Sequence, residues 1–200
     1  MKEHTTATWR VIPANTPAII KHCSKCNRKS EYYCSEKFRV NANQSRVDIW
    51  LIYKCHKCDT TWKLAIKKGI RPHDVPASLF DQFINNDSQL AWQYAFDKHF
   101  LKQNACVVDY TNVEYTVEGN ESHSGPQLVH IQSQYGFDLK LGALLAKALG
   151  TTVGQIKKHV ESGSIQANDD INIMKHKLKA GVEIVVYIGS IISKIMLSDK

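Results

Sequence analysis

Two CxxC motifs constrain this chain more than any other feature of its sequence. Cys23 and Cys26 form the first pair, and Cys55 and Cys58 form the second. A CxxC turn directs both sulfurs at one point, and tetrahedral zinc takes two such pairs. The insert between the pairs has the length of a β-hairpin, so the spacing predicts a zinc ribbon. Because four thiolates fill the coordination sphere, we expect one structural Zn2+ with no open position for a substrate.

The other histidines and cysteines considered as metal ligands are less favoured than these four cysteines. His22 and His56 adjoin ligand cysteines, and we expect both side chains to point outward. Cys34 and Cys106 are more typical of small core residues. A redox role is disfavoured because no βαβ pattern surrounds either CxxC.

The N-terminal residues and the cysteines together predict a compartment. The chain opens without the apolar run of a secretory signal, and its six cysteines then favour a reducing environment. The apolar stretch 182–197 contains charged and polar residues and is shorter than the ~20 residues of a spanning helix. We interpret it as a strand followed by an amphipathic tail. We therefore predict a cytoplasmic protein that does not associate with membranes.

The net charge of +7 is unevenly distributed along the chain. Residues 1–70 hold 14 Lys/Arg and 5 Asp/Glu, residues 71–134 hold 3 and 8, and residues 135–200 hold 9 and 6. We take these segments as three domains: the zinc ribbon, an acidic spacer of helices and strands, and a basic C-terminal module. Basic surface favours polyanionic partners.

The N-terminal segment is predicted to be mostly β-structure. Pro13 and Pro17 favour an extended lead-in over residues 9–20. Alternating and β-branched residues then predict three ribbon strands, at 31–40, 47–53 and 60–66.

Helical spacing predicts the elements of the other two segments. The spacer is expected to hold helices at 77–84 and 88–102, the second capped by Asn86 or Asp87, and strands at 106–109, 114–118 and 127–133. A helix from Leu141 should end at Gly150, and another, capped by Thr151 or Thr152, should end at Gly163. Short strands near 165 and at 183–187 complete an αα-plus-β module. The predicted fold class is therefore α+β.

Three runs in the first half of the chain resemble an uncharacterised bacterial family, domain of unknown function 1062. They are FRVNAN (38–43), DIWLIYKC (48–55) and LAWQYAFD (90–97), with Asn86 and Asp87 before the last. The similarity covers roughly the first hundred residues and more. It implies a bacterial origin and the same cysteine pattern, and it implies no activity.

The C-terminal segment resembles the S-four RNA-binding domain. The resemblance lies in KLG and LLA at 140–146, HVESGSIQAN at 159–168 and KAGVEIVV at 179–186. It implies two helices that present cations to structured RNA, and we predict Lys140, Lys147, Lys157 and Lys158 as RNA-binding residues. The alternative is that these are four solvated surface lysines. Gly142, Ala143 and Val153-Gly154 depart from the family pattern, and the arginine contacts expected there are missing.

No catalytic motif is found, so we predict a protein that is not an enzyme. The chain has no Gly-rich phosphate loop, no Gly-x-Ser-x-Gly and no HExxH. The favoured function is zinc and RNA binding, in association with the ribosome or with translation. The alternative is a scaffold or regulatory adaptor that binds protein through the ribbon and the acidic helices. Binding that is insensitive to salt would favour the adaptor, because phosphate contacts weaken as salt rises.

Overall fold

Two five-stranded β-sheets organise the computed structural model, which describes residues 5–43, 45–120, 125–168 and 171–189. Each sheet belongs to a separate compact unit. Unit 1 comprises Met1–Ala14 and Glu114–Lys200, and unit 2 comprises Asn15–Val113. The units therefore divide the chain at other positions than the three segments that its charge distribution suggests.

Ten strands and five α-helices are described. The strands are β1 (Thr5–Pro13), β2 (Ala18–Cys23), β3 (Arg28–Asn43), β4 (Arg46–Cys55), β5 (Thr61–Ile70), β6 (Val107–Asp109), β7 (Tyr115–Glu118), β8 (Gln127–Ser133), β9 (Ile165–Ala167) and β10 (Ile184–Ile188). The helices are α1 (Ala77–Ile84), α2 (Ser88–Phe96), α3 (Lys98–Gln103), α4 (Leu141–Ala148) and α5 (Val153–Glu161).

Several local predictions are confirmed, and one helix is corrected. Asp87 caps α2 by accepting the Leu90 backbone N–H, and Thr152 caps α5 in a capping box with Gln155. The single helix predicted over 88–102 is instead two helices. Asp97 separates them, because its carboxylate accepts the backbone N–H groups of His99 and Phe100 and so begins α3.

The sheet of unit 2 is antiparallel throughout, in the order β5-β4-β3-β2-β6. Alternate residues of β4 are buried, and they join one core with apolar residues of α1, α2 and α3 such as Phe83, Leu90 and Leu101. The prediction of a separate three-stranded zinc ribbon followed by a helical spacer is therefore wrong. Helical side chains share the core of the sheet because their apolar stripes need an apolar face to cover.

The sheet of unit 1 has the order β7-β1-β8-β10-β9, with β1 parallel to β8. The lead-in predicted over residues 9–20 in fact contains the end of β1 and the beginning of β2. In unit 1, β1 is an interior strand whose Trp9 and Val11 are buried. Pro13 is its last residue, where a missing N–H does least harm to the ladder.

The C-terminal segment does not form the predicted S-four-like module. Its helices α4 and α5 are present, but β10 pairs with β8 and β9 pairs with β10 in the sheet that contains β1. The predicted α+β class of ribbon, spacer and module is therefore wrong. The fold is β-rich, with two sheets and a smaller helical part.

The described ranges contain no helix that is long and apolar enough to cross a membrane. The strand predicted at 183–187 is β10, one residue later. The tail predicted to follow it lies outside the described residues.

Candidate metal centre

Each CxxC motif lies in a turn between two antiparallel strands of unit 2. The first joins β2 to β3 and the second joins β4 to β5, so both turns are at the same end of the sheet. The residue after each second cysteine has a left-handed backbone: φ is 50° at Asn27 and 56° at Asp59. Asn and Asp tolerate this conformation better than other non-glycine residues. The two turns therefore end in the same backbone conformation, each at a residue type that tolerates it.

The turns bring all four sulfurs together. The four Sγ atoms lie within 4.8 Å of one another. Across the two turns, the Sγ atoms of Cys23 and Cys58 are 3.6 Å apart, and those of Cys26 and Cys55 are 4.0 Å apart. Zinc–sulfur bonds of about 2.3 Å in a tetrahedron place the sulfurs about 3.8 Å apart. The four cysteines can therefore hold one metal ion such as zinc.

Hydrogen bonds hold the second turn against β3. The His56 backbone N–H donates to the Glu31 carbonyl at 2.9 Å, and the Tyr33 hydroxyl donates to the Asp59 carboxylate at 3.0 Å. Within the turn, the Thr60 hydroxyl lies 3.1 Å from the Cys58 sulfur. These contacts fix the direction of the ligands independently of any ion.

The ionisation of the thiols is uneven. A hydrogen bond from the Tyr32 hydroxyl lowers the pKa of Cys23 to about 5. Proton sharing with Cys58, together with burial, raises the pKa of Cys26 to about 12. Four thiolates at this spacing would repel one another without positive charge among them. A divalent cation supplies that charge and allows all four sulfurs to bind as thiolates.

The remaining histidines and cysteines lie outside the sulfur cluster. His22 and His56 are exposed, and neither is among the residues whose ligand atoms converge. Cys34 is buried in the core of unit 2, and Cys106 packs half-buried against that core.

The four lysines predicted to bind RNA lie in and next to the helices of unit 1. Lys140 directly precedes α4, Lys147 is on α4, and Lys157 and Lys158 are on α5; all four are exposed. The ammonium of Lys147 donates to the Tyr115 carbonyl at 2.6 Å and lies 3.9 Å from the centre of its ring. The Lys157 Nζ atom lies 3.8 Å from Oε1 of Glu161. The contacts of the described residues do not join the four lysines, so their common role stays a prediction.

A second basic surface in unit 2 was not recognised from the sequence. On the side of the sheet opposite the helices, neighbouring residues form three rows across β3, β4 and β5. They are Arg39–Trp50–Ala65, Lys37–Ile52–Lys63 and Tyr33–Lys54–Thr61. We call these nine residues the open face; each is exposed or half-buried. Its nine residues include four cations and no carboxylate. Part of the signal was available, since Trp50 and Ile52 alternate in the strand predicted over 47–53, and Thr61, Lys63 and Ala65 alternate in the strand predicted over 60–66.

The metal end of the sheet is also basic. A depression of about 330 Å3 lies beside the second turn, with Arg28, Lys29, Lys57 and His56 among its lining residues. Glu31 is the carboxylate among them.

Comparison with known proteins identifies a family. A family model described as "Protein of unknown function (DUF1062)" matches residues 40–171. The match includes the second CxxC pair and extends over both units. No curated protein and no solved structure matches the chain.

Proposed function

The chain belongs to the DUF1062 family of proteins of unknown function, and from its own residues we propose that it is a non-enzymatic RNA-binding protein. One structural zinc ion stabilises its unit 2. The observation that carries the proposal is the open face. Four cations on one side of a sheet, with no carboxylate among the nine residues, suit a polyanion. RNA offers a regular row of phosphates for such a surface.

The charge of unit 2 supports this assignment because it is segregated. Residues 18–70, which contain β2 to β5 and both metal-binding turns, hold 12 Lys/Arg and 4 Asp/Glu. Residues 71–113, which contain the helices, hold 3 Lys/Arg and 5 Asp/Glu. The basic character thus belongs to the sheet and its turns. A uniform charge that served solubility alone would not separate in this way.

The metal has a structural role in the proposal. Four thiolates are the ligand set typical of structural zinc, and they leave no position for a substrate. The ion would cross-link the β2–β3 turn to the β4–β5 turn. Rigid strand ends keep the cations of the open face in fixed positions, which reduces the entropy lost on binding.

We expect the double substitution Lys37→Glu with Arg39→Glu to weaken RNA binding at least about tenfold, because each reversed side chain loses a phosphate contact. The plot of log K against log salt should also become shallower by about 1.4, which corresponds to two contacts on a single strand. Both residues are exposed and off the core, so the melting temperature should hardly change. Fluorescence anisotropy with labelled RNA between about 50 and 200 mM salt measures both effects.

The comparison pair is Lys157→Glu with Lys158→Glu, which changes the charge equally on α5, where the sequence predicts RNA contact. We expect a smaller loss from this pair. A loss confined to it would move the RNA contact to the lysines predicted from the sequence. Binding that ignores salt would contradict RNA contact through phosphates and favour the protein-binding adaptor. Association with the ribosome stays a prediction, which co-sedimentation with ribosomes tests.

A further inference from the structure

We propose that the open face binds single-stranded nucleic acid, with unpaired bases stacked on Trp50 and Tyr33 and phosphates held by the cations between them. This inference rests on the proposed function and adds the form of the ligand. It depends on the order of side chains across the three strands.

The two aromatic rings lie in the outer rows of the open face. Trp50 is in the row with Arg39, and Tyr33 is in the row with Lys54. The row between them contains Lys37 and Lys63 on either side of Ile52. Successive rows are two residues apart along a strand, so the rings are separated by roughly 14 Å along β4. A strand of nucleic acid crossing the face meets aromatic, basic and aromatic positions in turn.

The surroundings of Trp50 leave part of its ring exposed. It lies on the side of β4 opposite the buried residues and is half-buried by its neighbours. Its partner on β5 is the small Ala65. The Lys63 ammonium lies 5.2 Å from the ring centre. This ammonium lies over the ring, so a base that stacked on that face would displace it and leave it beside the base, within reach of a phosphate.

Tyr33 is exposed and already held in one orientation. Its exposed fraction is 38%, unusual for an aromatic side chain in an interior strand. The hydroxyl donates to Asp59, and the His56 ring stands perpendicular to it with centroids 6.3 Å apart. A ring fixed in this way loses little conformational entropy when a base stacks on it.

The aromatic rings distinguish a single strand from a duplex. In a duplex the base faces are covered by their neighbours, and a flat sheet reaches only the phosphates. Cations alone would be enough to bind those phosphates. Exposed aromatic rings beside cations are the arrangement that proteins use for unpaired bases.

The test uses the full chain and three ligands of one sequence: single-stranded RNA, single-stranded DNA and the RNA duplex. We expect Trp50→Ala to weaken binding of single-stranded RNA by roughly five- to a hundredfold and to leave duplex binding unchanged. Trp50→Phe should retain most of the affinity because it keeps a ring. Single-stranded RNA should also quench the fluorescence of the wild-type protein more than that of Trp50→Phe. That second variant keeps the test valid if Trp50→Ala fails to fold.

The outcomes separate this inference from the proposed function. If none of the three ligands binds, the proposed function fails. If the duplex binds as tightly as the single strand and neither Trp50 variant changes affinity or quenching, only the stacking inference fails. Preference for single-stranded RNA over DNA supports both proposals. Preference for single-stranded DNA would retain the stacking surface and overturn RNA as its ligand.

Discussion

Cys55→Ser, and equally Cys23→Ser, is expected to lower the free energy of unfolding of unit 2 by at least about 4 kcal/mol, because a structural metal contributes its binding energy to folding. Both thiols are completely buried. A serine hydroxyl does not replace a thiolate ligand, so the other three cysteines would be left without a filled coordination sphere. The metal-binding end of the sheet would then lose the link between its two turns.

The damage should be centred on that end of unit 2. The core shared by the sheet and α1 to α3 is larger than a free-standing ribbon would have, so part of it should persist at low temperature. Metal analysis should give about one zinc per wild-type chain and less than that in the variant. The melting temperature of unit 2 should fall by more than about 15 °C. Hydrogen exchange should show lost protection at the ends of β2 to β5 next to the turns and unchanged protection in β8 and β10.

Cys106→Ser is the matched control. Cys106 is half-buried in the same unit and lies outside the sulfur cluster. We expect it to retain zinc and to change the free energy of unfolding by about 1 kcal/mol. Wild-type protein that contains no metal and melts identically with and without a chelator would contradict the proposed centre.

The metal-binding turns were readable from the sequence because their information is local. A CxxC motif specifies its own turn, and the strands on either side of each turn alternate between buried and exposed residues over short spans. For the same reason the sequence limited the caps to Asn86 or Asp87 and to Thr151 or Thr152, and the structure selects Asp87 and Thr152. Each depends on residues at most three positions apart.

The pairing of distant segments was not readable in this way. The pairing partners of β1 are β7 and β8, more than 100 residues later, and nothing in the prolines near Trp9 shows those partners. The charge-based segments failed as a guide to packing because charge describes exposed positions. In unit 2, Asp81 on α1 and Asp97 before α3 are exposed, whereas the helices pack through apolar residues such as Leu90 and Leu101.

The open face shows a different gap between sequence and structure. The alternation in β4 was clear, and it identified the buried side correctly. The exposed side became a candidate site only when the register placed Arg39 beside Trp50 and Lys37 beside Ile52. Register between strands depends on the bulges near Cys34 and Ile49 as well as on alternation.

Trp9→Ala is expected to destabilise unit 1 by about 3 to 5 kcal/mol, the usual cost of removing a large buried aromatic side chain. Trp9 lies in the interior strand β1 and is only 2% exposed. Its loss would leave a cavity where β1 joins β7 to β8. Chemical denaturation that follows the unfolding of unit 1 measures the change.

Two further variants on β1 separate burial from strand position. Ile12→Ala alters a side chain that is 40% exposed on the same strand, and we expect a loss below about 1 kcal/mol. Trp9→Phe keeps an aromatic ring and removes an indole N–H that is buried with no hydrogen-bond partner among the described residues. Because an unpaired buried donor is itself unfavourable, Trp9→Phe should lower the free energy of unfolding clearly less than Trp9→Ala does. Equal stability of Trp9→Ala and wild type would mean that β1 contributes nothing to the core of unit 1, as the extended lead-in predicted over residues 9–20 would imply.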